Sequence, residues 1–91
     1  MTTARTAGQI VVDQLRIHGA DFVFCVPGES YLAVLDALHD ARDRIQVINA
    51  RHEAGAANMA EAYGKLTGRP GIAMVTLGPG ACHAAIGIHT A

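Results

Sequence analysis

The chain has 91 residues, of which 51% are hydrophobic and only 4% aromatic, so it can form at most one small domain with an aliphatic core. Its formal net charge is −1 and it has no run of like charge, which argues against nucleic acid or an anionic membrane surface as a partner. Cys25 and Cys82 form neither a metal spacing nor a disulfide framework, and the first residues lack the apolar core of a signal peptide. These features favour a cytoplasmic protein.

The first predicted elements are a helix and a buried strand. Thr6 is a candidate N-cap for a helix that runs to about His18 and ends at Gly19. One apolar stripe of this helix contains Ala7, Ile10, Val11 and Leu15. The continuous apolar run FVFCV, residues 22–26, predicts a strand that is buried on both faces.

A second helix, a second strand and an alanine-rich third helix follow. Ser30 is the predicted cap of the second helix. The inward stripe of that helix contains Tyr31, Val34, Leu35 and Leu38. Residues 45–49 are predicted to form the second strand. Residues 53–67 are predicted to form the third helix, in which small side chains allow another backbone to come close.

The last elements are a third buried strand, residues 72–77, and a fourth helix from residue 81 to residue 91. The order α-β-α-β-α-β-α predicts an α/β fold, with a parallel sheet and helices on both faces. Three strands are few for such a sheet, so we expect the 91 residues to be the front part of a larger domain, with a strand edge and apolar surface exposed.

Three turns are predicted to meet at the carboxyl edge of the sheet, where open α/β folds bind ligands. They bring together Glu29, Glu53 and His83, whose side chains suit acid/base chemistry. The alternative is that the two glutamates only stabilise helix N-termini, where the helix dipole favours a carboxylate.

Two weaker motifs compete with this site. Gly78, Gly80 and His83 occupy the G-x-G-x-x-G frame of a dinucleotide-binding turn, but the third position is histidine and the motif does not follow the first strand. His52 and His89 have no partner at metal-ligand spacing, which favours capping or surface roles. No metal site is therefore predicted within the chain.

The segments FVFCVPGESYLAVLDAL and INARHEAGAANMAEAYGKLTGRPGIAMVTLGPGACH resemble the N-terminal pyrimidine-binding domain of thiamine-diphosphate-dependent enzymes. The combination of RHE-x-x-A-x-x-M-A-x-x-Y with TxGPG is highly specific, and the resemblance extends from about Thr6 onward. The group that the chain resembles most is the acetolactate synthase and pyruvate oxidase type.

The resemblance implies that Glu53 is catalytic. Its carboxyl group would hydrogen-bond N1′ of the cofactor aminopyrimidine, so that the 4′-nitrogen can remove the thiazolium C2 proton before attack on a 2-oxo acid. The resemblance also places Pro27, Gly28, Gly78, Gly80 and His83 at the cofactor. Burial against the pyrimidine is expected to raise the Glu53 pKa, whereas the helix N-terminus and Arg51 act in the opposite direction. We expect burial to dominate in the assembled dimer but not necessarily in this chain alone.

Glu29 leaves the reaction type open. Acetolactate synthases usually have glycine at this position and related decarboxylases have aspartate, so Glu29 is a candidate substrate residue that would protonate an intermediate. Its alternative role is a solvated carboxylate ahead of Ser30. Condensation, decarboxylation and oxidation of a 2-oxo acid all remain compatible with the residues.

The resemblance further implies that the diphosphate and Mg²⁺ motif lies outside these 91 residues, that FAD is compatible with the complete enzyme, and that the alanine-rich helix lies near a homodimer or homotetramer interface. Alone, the chain should be inactive and should not bind thiamine diphosphate tightly. The alternative for the helix is close packing within the domain. The alternative for the whole chain is a non-catalytic α/β interaction module.

Overall fold

The computed structural model describes residues 4–91, which form the predicted alternation of helices and strands. The helices are α1 (Ala7–Ile17), α2 (Leu32–Asp40), α3 (Glu53–Thr67) and α4 (Pro79–Thr90). The strands are β1 (Phe22–Cys25), β2 (Gln46–Asn49) and β3 (Ile72–Met74). A short 3₁₀ helix, Glu29–Tyr31, precedes α2. The α/β fold class predicted from the sequence is confirmed.

The three strands form one parallel sheet in the order β2-β1-β3. Val23 of the central strand lies opposite Val47 on one side and Ile72 on the other. Because side chains alternate along a strand, Val23 and Cys25 enter one core cluster and Phe24 enters another. The central strand is therefore covered on both faces, as its continuous apolar run predicted.

Helices α1 and α2 cover the first face of the sheet. The buried face of α1 is formed by Gly8 and Val12, with Leu15 packed beside them, whereas Ile10 and Val11 are exposed. The predicted stripe was therefore wrong except at Leu15. A Cβ atom at Gly8 would lie 2.4 Å from the carbonyl oxygen of Ala33, so this glycine lets the two helices approach closely.

Helix α3 packs on the opposite face of the sheet, and α4 packs on α3. Ala56, Ala57 and Ala60 are buried, and two of them pack with Phe24 in the second core cluster. Gly87 of α4 meets Ala57 so closely that an added Cβ atom would lie 2.4 Å from the alanine Cβ. The small side chains of α3 therefore serve close packing within the chain.

The helix ends explain where each helix starts and stops. Thr6 caps α1 in a reciprocal capping box with Gln9, which confirms that prediction. Gly68 ends α3 with a positive φ of 72°, a conformation that glycine adopts without strain. The prediction that Ser30 caps α2 was wrong, because α2 begins after the 3₁₀ turn and the hydroxyl of Ser30 bonds Thr76 instead.

The third strand is shorter and more exposed than predicted. It ends at Met74 rather than residue 77, and within residues 4–91 it has a strand neighbour on one side only. Leu77, Ile86 and Ile88, which follow β3 along the chain, are exposed. This agrees with the expectation that apolar surface is exposed. Helix α4 starts at Pro79, since proline suits a first helical position. None of the helices in residues 4–91 has the length and apolar character needed to span a bilayer.

Candidate functional site

The carboxyl ends of the three parallel strands lead into three turns at one edge of the sheet. These turns contain residues 26–28, 50–52 and 75–78, and each leads directly into a helical segment. An edge of this kind is where open α/β sheets bind ligands. The site is therefore built from the turns and from the first residues of the helices that follow.

Glu53 is the first residue of α3, and the residue before it fixes the start of that helix. The Nδ1 atom of His52 accepts a hydrogen bond from the backbone N–H of Ala54 at 3.1 Å, so His52 is the N-cap. This confirms the capping role predicted for His52. The Glu53 side chain is only 13% exposed, and so it is largely buried beside the turn.

His83 of α4 reaches the same carboxylate from the neighbouring turn. Its Nδ1 atom lies 3.1 Å from Oε1 of Glu53, and its ring stacks on His52 with centroids 4.5 Å apart and planes 27° apart. The close packing of Gly87 on Ala57 sets α4 beside α3 and thereby brings His83 to the start of α3. The predicted meeting of Glu53 and His83 is confirmed.

The pKa of Glu53 lies below its ordinary value in this chain. The main cause is a hydrogen bond to its own backbone N–H, followed by the hydrogen bond to His83, while burial raises the pKa by less than these contacts lower it. The charges of His83 and His52 lower it further. In the chain alone, the contacts that lower the Glu53 pKa therefore outweigh burial, and the opposing charge comes from histidines. Burial remains expected to dominate in the assembled dimer.

Two glycines of the predicted cofactor site pack around one threonine. A Cβ atom at Gly28 would lie 2.9 Å from Cβ of Thr76, and one at Gly80 would lie 3.0 Å from Cγ2 of Thr76 and 3.4 Å from Oε2 of Glu53. The Thr76 hydroxyl also lies 2.7 Å from the hydroxyl of Ser30. Thr76 thus ties the first and third turns together.

Thr76 and the His52–His83 stack are site features that the sequence pattern did not predict. Thr76 is the threonine of the TxGPG motif, so the motif could have marked it as a site residue. The spacing of the motif alone does not indicate which side chains Thr76 contacts. Gly78, in the same motif, has a positive φ of 67° that favours glycine and turns the chain into α4. Gly28, Thr76 and Gly80 therefore pack closely together next to Glu53.

Glu29 does not join the pair formed by Glu53 and His83. It begins the 3₁₀ helix and is exposed, and within the described part of the chain no hydrogen bond or ion pair links it to either residue. Pro27 is also exposed and Gly28 is half-buried, at the end of the first turn. The predicted three-residue acid/base cluster is therefore a two-residue pair with Glu29 apart from it.

The fold and this site define the class of the protein. Residues 5–91 match the family model described as "Thiamine pyrophosphate enzyme, N-terminal TPP binding domain". The chain belongs to this family, which the sequence resemblance had indicated.

Among individual proteins, the chain is similar to acetolactate synthases. It is 49% identical over 83 residues to the acetolactate synthase of Bacillus subtilis (strain 168), which covers 91% of the chain and 14% of that protein. It is 42% identical over 76 residues to the mitochondrial acetolactate synthase catalytic subunit of Saccharomyces cerevisiae, covering 84% of the chain and 11% of the relative. It is 42% identical over 83 residues to the acetolactate synthase large subunit of Lactococcus lactis subsp. lactis, which covers 91% of the chain and 14% of that protein. The chain thus spans only a small part of the length of these relatives.

Proposed function

We propose that this chain supplies the pyrimidine-binding half of the active site in an acetolactate synthase-like enzyme that uses thiamine diphosphate. The observation that carries the proposal is the placement of Glu53, partly sheltered at the first position of α3 and hydrogen-bonded to His83. Membership of the thiamine pyrophosphate enzyme family and similarity to acetolactate synthases support it. The whole enzyme would act on a 2-oxo acid as a transferase.

The residues present fit an aminopyrimidine at this site. Gly28 and Gly80 pack directly against Thr76, and a Cβ atom at Gly80 would lie 3.4 Å from Oε2 of Glu53. Glycine at this position therefore keeps a side chain from crowding Oε2, which supports this oxygen as the contact to the pyrimidine ring. Pro27, Gly78 and His83 complete the proposed cofactor contacts. When bound, thiamine diphosphate supplies the carbon nucleophile and the electron sink for chemistry at the 2-oxo acid carbonyl.

The two carboxylate oxygens of Glu53 have different surroundings. Oε1 is hydrogen-bonded to His83, whereas Oε2 faces Gly80 and is the oxygen we assign to N1′ of the pyrimidine. A hydrogen bond donated to N1′ requires a proton on this oxygen. Covering Glu53 with the pyrimidine ring removes water from the carboxyl group and raises its pKa, which opposes the lowering seen in the uncovered chain. The ring itself would thus help to protonate the acid that binds it.

We further propose a role for Glu29 toward the substrate. It lies in the turn after β1, on the same edge of the sheet as Glu53, and its exposure leaves it free to meet a bound 2-oxo acid. In this role Glu29 would deliver a proton to the reacting carbon and so influence the choice between carboligation and release.

The remaining parts of the enzyme are proposed to lie outside these residues. They are the diphosphate and Mg²⁺ site and, if the complete enzyme uses it, FAD. We propose a cytoplasmic homodimer or homotetramer whose interface uses α3. Because Ala56, Ala57 and Ala60 are already buried within the chain, that contact would use the exposed residues Asn58, Ala62 and Leu66. An unassisted chain should not bind the cofactor tightly.

A chimeric enzyme tests the proposal. The matching segment of the Bacillus subtilis acetolactate synthase is replaced by this chain, and acetolactate formation from pyruvate is measured. We expect an active chimera that loses at least about 10²-fold in turnover on Glu53→Gln, the usual scale for removing a positioned acid/base group. Glu61→Gln, on the same helix but outside the site, is the control. A folded chimera without activity, or one indifferent to Glu53→Gln, would contradict the proposal.

A further inference from the structure

We propose that His52, Glu53 and His83 form a binding site for a divalent transition-metal ion of the zinc class. Each residue offers one ligand atom, and these atoms all lie within 4.8 Å of one another. The three side chains come from two different turns of the sheet edge, so the fold and not one local sequence creates the cluster. The inference does not rest on the proposed function, since it concerns only the chain's own donor atoms.

Glu53 and His83 already have the spacing of two ligands on one ion. Their Oε1 and Nδ1 atoms are 3.1 Å apart. Bonds of about 2.0–2.2 Å in tetrahedral geometry place neighbouring nitrogen and oxygen ligands roughly 3.3–3.5 Å apart. An ion between them would take the place of the hydrogen-bonding proton and move the two atoms by only a few tenths of an ångström. The pair is thus nearly arranged for metal binding.

His52 is the third ligand, and its coordination is linked to the start of α3. Its ring lies 4.5 Å from the His83 ring, and its Nδ1 atom accepts the N–H of Ala54. If Nδ1 binds the ion, its lone pair leaves the cap. If Nε2 binds instead, the ring proton moves to Nδ1 and the cap is also lost. His52 is exposed, so its ring is free to turn out of the stack toward the ion.

The donor set selects the kind of ion. Two imidazole nitrogens and one carboxylate suit zinc and similar ions, whereas Mg²⁺ and Ca²⁺ prefer oxygen ligands. The His83 side chain is 49% exposed, which leaves solvent access for water at the remaining coordination position. This arrangement, three protein ligands and an open position, is the one found in catalytic zinc sites.

Zinc titration of the 91-residue chain by calorimetry tests the site. We expect one bound Zn²⁺ per chain in the wild type, and binding weakened at least about tenfold by His83→Ala, Glu53→Gln and His52→Asn, since even outer-shell changes typically cost 10–100-fold. Asparagine is a good N-cap, so His52→Asn removes the ligand while keeping the helix start. His89→Ala, farther along α4, is the matched control and should bind as the wild type does. Excess Mg²⁺ should not displace Zn²⁺.

A second measurement needs no substitution and so does not depend on a variant folding. The histidine ring signals of the unmodified chain are followed by NMR as Zn²⁺ is added. We expect the signals of His52 and His83 to change first, with those of His18, His39 and His89 unaffected at equimolar zinc. Three results would overturn the proposal. They are wild-type zinc affinity in the three ligand variants, first signal changes at the other histidines, and no binding at millimolar zinc.

Discussion

Replacing Gly87 with alanine should loosen the contact that sets α4 against α3. The added Cβ atom would lie 2.4 Å from Cβ of Ala57 and 2.8 Å from its carbonyl carbon. The first clash is with a side chain that consists of a single methyl group, and the second is with backbone. Neither atom can rotate away, so the two helices must separate.

The size of the effect follows from two opposing terms. Alanine favours a helix interior over glycine by up to about 1 kcal/mol, which stabilises the variant. Forcing extra volume into a close-packed contact typically costs about 1–3 kcal/mol, and a backbone clash places Gly87→Ala toward the upper end of that range. We therefore expect a net loss of about 1–2 kcal/mol in the free energy of unfolding. For a domain of this size each kcal/mol corresponds to roughly 4–8 °C in Tm.

Urea unfolding followed by circular dichroism measures this difference. Gly55→Ala in α3 is the matched control, because its Cβ atom would lie 3.9 Å from Cβ of Ala50, an ordinary contact. That variant should be unchanged or more stable by up to about 1 kcal/mol. Adding Ala57→Gly to Gly87→Ala should restore only part of the loss, since the backbone clash remains. A Gly87→Ala chain as stable as the wild type would refute the packing argument.

Three further outcomes are expected. The folded pKa of Glu53 lies below its ordinary 4.5, so its stabilising effect is full above pH 4.5 and is lost as the pH falls through the folded pKa. Glu53→Gln should flatten that acid limb of the curve of unfolding free energy against pH, and an unchanged limb would show that other carboxylates produce it. Burial raises the pKa of the Cys25 thiol, so native-state alkylation followed by mass spectrometry should modify the exposed Cys82 and spare Cys25; equal rates would mean that β1 opens readily. In the chimera, Glu29→Gly should shift the products of pyruvate from acetaldehyde toward acetolactate, and an unchanged ratio would leave Glu29 without a part in the reaction.

Local sequence signals determined the elements well where one residue controls a boundary. The predicted limits of α3 agree with the structure, because a carboxylate follows the turn at one end and Gly68 adopts a left-handed conformation at the other. The apolar stripe of α1 was misplaced, because its buried face contains Gly8. Glycine has no apolar side chain, so hydrophobic periodicity does not mark it as a buried position. The predicted cap at Ser30 was wrong because its hydroxyl makes a long-range hydrogen bond with Thr76 instead of a local one with the helix backbone.

For the site, the topology could be predicted from the sequence, but the packing that sets its distances could not. Alternating strands and helices were enough to predict that Glu53 and His83 share one edge of a parallel sheet. The distance between them, the stack on His52 and the central place of Thr76 depend on how α4 lies against α3. That arrangement is fixed by close contacts between small residues, which no sequence period reports.

The central claim is that the carboxyl group of Glu53 activates the cofactor through its pyrimidine. The most direct test is the rate at which the C2 proton of thiamine diphosphate exchanges for deuterium in the chimeric enzyme without substrate, measured by quenched-flow NMR. We expect Glu53→Gln to slow this exchange by at least about 10²-fold, while cofactor bound per active site stays the same. Exchange in the variant at the wild-type rate, with cofactor fully bound, would contradict this role of Glu53.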